Sequence, residues 1–134
     1  MTLRERVLGA WELVSFTALD VDTGRVRHPL GTAPRGLIRY TDDGHMSAQL
    51  ADSDMGGYVA YGGSFDVNEE TSILHHDVTM SMMPELLGQP QFRQVSVDGD
   101  LLTLSATMID DAGATTHSSL VWRRAGSAEA FPAS

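Results

Sequence analysis

The run His75-His76-Asp77 gathers three side chains able to move protons or hold a metal. Adjacent residues on an extended strand point to opposite faces, so His75 and His76 cannot serve one site from one strand. A shared metal would need ligands from elsewhere, such as His45 or His117, and no metal site is expected. His76, flanked on its own face by Leu74 and Val78, has two readings. It is a general acid or base with an ordinary pKa near neutrality, or a buried histidine satisfied by a tyrosine or a backbone group.

Arg93 shares its face with Val95 and Val97. It reads as a clamp for a carboxylate or enolate oxygen, or as half of an ion pair with Asp77 or Glu85 at a rim. Tyr40 and Tyr61 are candidate donors to a carbonyl, or amphipathic rim residues. His45 follows a turn directly, which puts it near a strand end, in the site or on its rim. Other chemistries lack their parts. There is no Gly-x-Ser-x-Gly elbow, phosphate loop or dinucleotide fingerprint. The aspartates sit largely in turns, which gives a paired-carboxylate hydrolase no support.

The elements that must position these groups are strands. Only the start looks helical, where Thr2 and Glu5 form a capping-box pattern and Leu3 and Val7 share a face. Alternation then predicts strands over 11–19, 25–27, 37–41, 45–50, 58–67, 72–82, 91–97, 101–109 and 115–124. Turn signals separate them, among them Asp42-Asp43-Gly44 and Asp98-Gly99-Asp100. About eight strands on short turns predict an all-β fold, a meandering antiparallel barrel or sandwich, of which the closed up-and-down barrel, with the short N-terminal helix plugging one end, is the one expected.

Period two sorts the faces. Inward sets are Ile38 with Tyr40, Met46 with Ala48 and Leu50, and Tyr61, Gly63, Phe65 and Val67. Leu74, His76, Val78, Met80 and Met82 form another, as do Leu102, Leu104, Ala106 and Met108, and Leu120 with Trp122. The predicted lining for a bound molecule is Met46, Phe65, Val78, Met80, Val95, Leu104, Met108 and Trp122, with His45 at its edge. The methionines read as an adaptable ligand wall or as ordinary core. The interior polar groups Tyr40, Tyr61, His76 and Arg93 are the catalytic candidates, because unpaired buried charge costs several kcal/mol unless something satisfies it.

Length and composition bound the rest. The 134 residues suit one domain, read as a barrel over 1–126 and a flexible tail over 127–134. There is no cysteine, so disulfides and thiolate metal sites are excluded. A formal net charge of -9 disfavours nucleic acid and anionic membranes as partners. No stretch reads as a signal peptide or membrane span, and a cytoplasmic location is expected. The expected partner is a hydrophobic small molecule, with no cofactor, and homodimer formation stays open.

Gly9-Ala10-Trp11 at the first strand resembles the Gly-x-Trp signature of lipocalins. Val121-Trp122-Arg123-Arg124 is similar to the segment whose arginine packs over that tryptophan in the barrel floor. The runs 9–15, 40–47, 74–78 and 98–104 are similar, in order, to the bacterial lipocalin-like domain family. That resemblance covers about Val7 to Arg124. It implies a small-molecule-binding barrel. Related barrels include cofactor-independent enzymes of natural-product biosynthesis acting on polyketide-like intermediates. The expected function is therefore an isomerase, cyclase or lyase on a hydrophobic molecule held inside the barrel. The alternatives are a non-catalytic carrier and, third, a haem-binding barrel with an inward histidine as ligand. The resemblance also implies that Trp11 packs against Arg123 or Arg124.

Overall fold

The computed structural model describes residues 1–53, 57–88 and 90–126. The tail over 127–134 lies outside them. Helix α1 spans Leu3–Val7. The strands are β1 (Gly9–Asp20), β2 (Val26–Arg27), β3 (Arg35–Tyr40), β4 (His45–Ala51), β5 (Val59–Asn68), β6 (Ile73–Ser81), β7 (Pro90–Asp98), β8 (Leu101–Ile109) and β9 (Thr115–Arg124). Each predicted run becomes a strand, with ends shifted by a residue or two as pairing outlasts the apolar pattern.

All the ladders are antiparallel, and each strand from β3 to β8 pairs with the next. Strand β1 pairs with β3 on one side and along β9 on the other, so eight strands close into a barrel. The two-residue β2 hangs on the far end of β1.

The capping box forms as predicted: the Thr2 hydroxyl accepts from the Glu5 amide, and the Glu5 carboxylate accepts from the Thr2 amide. A helix of five residues is not stable alone. Here it is tied across one end of the barrel. The Glu69 carboxylate, in the β5–β6 turn, accepts from the Leu3 and Arg4 amides, and Val7 is fully buried. Below it, the Trp11 indole donates to the Val7 carbonyl at 2.8 Å. This end is the floor, and the opposite end, where β1, β6 and β8 finish, is the mouth.

Bulges correct part of the face assignment. Gly62 pairs with Met80, but Gly63 pairs with Val78, so Thr79 is an extra residue in β6. One extra residue reverses every side chain after it. Met80 therefore points outward, 76 % exposed, and Met82 is exposed too. Ser81, opposite Tyr61, takes the register that faces in. Gly63 permits the bulge, because a Cβ there would stand 1.9 Å from the Asp77 carbonyl oxygen. Met108 stays in register with Leu102 and Leu104 yet is 62 % exposed. The β7–β8 ladder ends at Gln94 and Ser105, so Met108 overhangs the mouth beyond the wall.

Candidate functional site

Tyr40 is the last residue of β3, and His76 lies mid-way along β6. Strands β4 and β5 stand between them, and the curvature of the closed sheet brings the two side chains together inside. The Tyr40 hydroxyl is 2.8 Å from His76 Nε2. Phe65, opposite His76 on β5, packs its ring against Tyr40 edge-on at 4.9 Å. The Tyr61 ring lies 6.0 Å from His76. Gln91 on β7 is opposite His76, and Arg93 is one inward position further towards the floor, opposite Leu74. The four candidates His76, Arg93, Tyr40 and Tyr61 thus fall within one region of the interior.

Burial sets the electrostatics. Both Tyr40 and His76 are 1 % exposed. Loss of water, assisted by the charge of Arg93 and by His75, lowers the His76 pKa to about 3. The imidazole is neutral at any ordinary pH. Burial also raises the Tyr40 hydroxyl well above its usual range, Tyr61 adds to that, and Arg93 partly offsets it. Tyr61 is raised by burial against the same opposing pull of Arg93. Each of these three groups is held neutral, and the cation Arg93 acts on all three.

Among the described residues, two interior polar atoms have no hydrogen-bond partner: His76 Nδ1 and Trp122 Nε1. When the Tyr40 hydroxyl donates to Nε2, Nδ1 carries the ring hydrogen and is an unsatisfied donor. Buried polar atoms are nearly always paired, so each orphan marks a place for water or a ligand. Arg93 spends its guanidinium on neutral acceptors. It donates to Gln91 Oε1 at 2.6 Å and to the Phe92 carbonyl at 2.8 Å. The sequence allowed an ion pair with Asp77 or Glu85, but among the described residues none forms.

The lower half of the interior is filled by Trp11, Trp122, Leu74 and Leu102, all buried. Towards the mouth the inward side chains Phe16, Tyr61, Gln91, Ala106 and Leu120 are only half-buried, and so is Arg93 on the floor side of Gln91. His76 sits at the boundary of the two zones. A lateral cleft of about 750 Å³ opens where the β1–β3 ladder stops at Glu12 and Leu37 while β3 continues to pair with β4. Leu13, Gly36, Leu50, Arg35 and Tyr58 are among its lining residues. None of the four polar candidates is among its lining residues.

Of the expected apolar lining, Met46, Phe65, Val78, Val95, Leu104 and Trp122 are buried in the barrel. Met80 and Met108 are not, for the reasons above. His45 is the first residue of β4, at the floor end, where its ring lies 3.2 Å from Asp43 in the preceding turn, away from the half-buried zone. His75 faces outward, stacked on Phe92 and 3.3 Å from Asp66. His117 meets Thr107 on the β8–β9 hairpin. Among the described residues no three His, Asp or Glu side chains gather to hold a metal. Sequence reading passed over Gln91, whose parity with Arg93 was the available signal. It also passed over Phe16, whose inward position depends on the β1 bulge between Leu13 and Ser15.

A family model described as a lipocalin-like domain matches the chain over residues 8–56 and 51–125. No curated protein matches it. Among the described residues no helix is long and apolar enough to cross a membrane.

Proposed function

The chain belongs to the lipocalin-like domain family, and from that premise we propose that it binds a hydrophobic, carbonyl-bearing small molecule in the mouth half of its barrel and acts on it as a cofactor-free enzyme. The observation that carries this reading is the buried Tyr40–His76 pair, whose Nδ1 is left without a partner beside Arg93 and Tyr61. Neutral donors in a dry interior stabilise negative charge that develops on a carbonyl oxygen. A histidine with a pKa of about 3 is a weak base at neutral pH. Its role is therefore to hydrogen-bond the oxygen, with Tyr61 and Arg93 supplying further polarisation. Folding a flexible substrate and excluding water would do the rest. Isomerisation, cyclisation or elimination of an acidic carbonyl compound suits this arrangement, as in natural-product biosynthesis. The α-proton passes to solvent water at the half-open mouth, because none of the named groups is a base near pH 7, while the donors hold the enolate oxygen. The lack of cysteine supports a place in the reducing cytoplasm.

A second reading, a carrier without chemistry, draws support from the same neutrality: none of Tyr40, Tyr61 and His76 has a pKa shifted towards 7. Incubation with a panel of enolisable aryl ketones in deuterated water separates the two. Accelerated exchange of the α-hydrogens, read by NMR, supports the enzyme. Binding without exchange supports the carrier. A panel that neither binds nor exchanges overturns both.

A further inference from the structure

We propose that the molecule held in this barrel is an acid, and that Arg93 receives its carboxylate. The inference rests on the small-molecule reading above and narrows it to one chemical class.

Arg93 is a half-buried charged side chain one inward position to the floor side of Gln91 and His76. It stands on the inward face of β7, in register with Val95 and Val97, next to Leu74 on β6. Its influence reaches Tyr40, Tyr61 and His76, all inside. Among the described residues no carboxylate approaches it. The acids nearest in sequence and pairing, Asp77 and Asp66, sit on outward positions and are exposed. Other arginines with cross-chain roles are differently placed. Arg4 pairs with Asp42, and Arg124 reaches both Asp100 and two backbone carbonyls. Arg6 donates to the Val97 carbonyl, and Arg93, on an inward position of β7, has only neutral acceptors.

A cation among apolar side chains and raised-pKa tyrosines is costly unless an anion completes it. The guanidinium is planar and matches a carboxylate with two parallel hydrogen bonds. Gln91 holds it at 2.6 Å, which fixes its orientation without neutralising its charge. The formal charge of -9 over the whole chain does not cancel this attraction. At physiological salt, exposed charges beyond about 8 Å are largely screened, whereas a half-buried group is screened much less. The orphaned His76 Nδ1 is a further donor in the same zone. It suits a second oxygen of the same molecule.

Isothermal titration of the full chain with two matched pairs tests this: decanoate against decan-1-ol, and 2-naphthoate against methyl 2-naphthoate. In at least one pair the acid is expected to bind about tenfold or more tightly than its neutral counterpart, as one charge-assisted hydrogen bond in a partly dry site provides. Arg93→Gln should erase that ratio by weakening the acid alone, and Arg93→Lys should restore part of it. Neutral members that bind as tightly as the acids overturn the carboxylate assignment and leave the small-molecule reading intact. A ratio that survives Arg93→Gln overturns the role of Arg93. If neither member of either pair binds, the small-molecule reading falls and this inference with it.

Discussion

The Arg124 guanidinium lies 4.1 Å from the centre of the Trp11 ring, and the same group donates to the carbonyls of Leu8 and Arg6 at 3.0 and 2.9 Å. Trp11 and Arg124 are directly opposite on β1 and β9, so this contact sits on the seam that closes the barrel. It also ties α1 to the floor. The sequence left Arg123 and Arg124 as alternatives. Arg124 shares its strand parity with the inward Trp122, and that decides between them.

Trp11→Ala should lower stability by about 3–5 kcal/mol, the usual loss for a buried aromatic ring. Arg124→Ala should cost less, about 1–3 kcal/mol, because part of the loss is a cation–π contact and part is two carbonyls left to water. Urea unfolding midpoints measure both. An unchanged midpoint in Trp11→Ala would remove the floor as a source of stability.

His76 makes folding sensitive to pH. Its folded pKa, about 3, lies below the 6.5 of an unfolded histidine. Between those values the unfolded chain binds a proton that the folded chain refuses, so stability rises with pH. The contribution is complete above pH 6.5 and is lost as pH falls towards 3, at about 1 kcal/mol per pH unit. Denaturant titrations at pH 7, 6 and 5 should show this slope in the wild type and a shallower one in His76→Phe. Equal slopes would mean that His76 is not held neutral.

Tyr40→Phe removes the partner of His76 Nε2 and leaves both ring nitrogens without a protein partner. A loss of about 1–3 kcal/mol is expected from the unsatisfied group. The histidine should also titrate differently, which its ring proton signals in NMR would report. A variant as stable as wild type, with an unmoved histidine signal, would show that the hydrogen bond contributes nothing.

Once a turned-over substrate is in hand, His76→Gln should lower kcat/KM about a hundredfold, as expected for a lost contact to developing negative charge, and Arg93→Ala should lower it by a similar factor through lost binding of the charged substrate. Circular dichroism should stay that of a β-barrel. Wild-type turnover in both variants would leave any catalysis to the shape of the lumen.

The bulge in β6 depends on residue 63 having no side chain. Gly63→Ala should cost about 3 kcal/mol, at the upper end of overpacking losses, since the new methyl meets the Asp77 backbone. Met80→Ser, by contrast, should change stability by no more than about 0.5 kcal/mol, as for an exposed site. A large loss in Met80→Ser would return Met80 to the interior.

Much of the molecule was legible in the sequence because its code is local. Alternation of apolar and polar residues fixes a strand and its two faces, and Asp and Gly clusters fix the turns, so the all-β run of strands and the inward positions of Tyr40 and Arg93 follow from neighbours alone, while barrel against sandwich, and His75 against His76, stay open at that level. The capping box of α1 is local in the same sense. The tertiary structure decided what depends on contacts between distant strands. The extra residue at Thr79 leaves no mark in a run that alternates smoothly from Leu74 to Met82, because its position is set by Gly63 across the ladder. That single slip turned Met80 and Met82 out to solvent. The overhang of Met108 depends on where β7 stops pairing with β8. Closure of β1 on β9 selected Arg124, and curvature brought Tyr40 to within 2.8 Å of a histidine three strands away. Period two tells which way a side chain points. Which partner it meets is a property of the closed sheet.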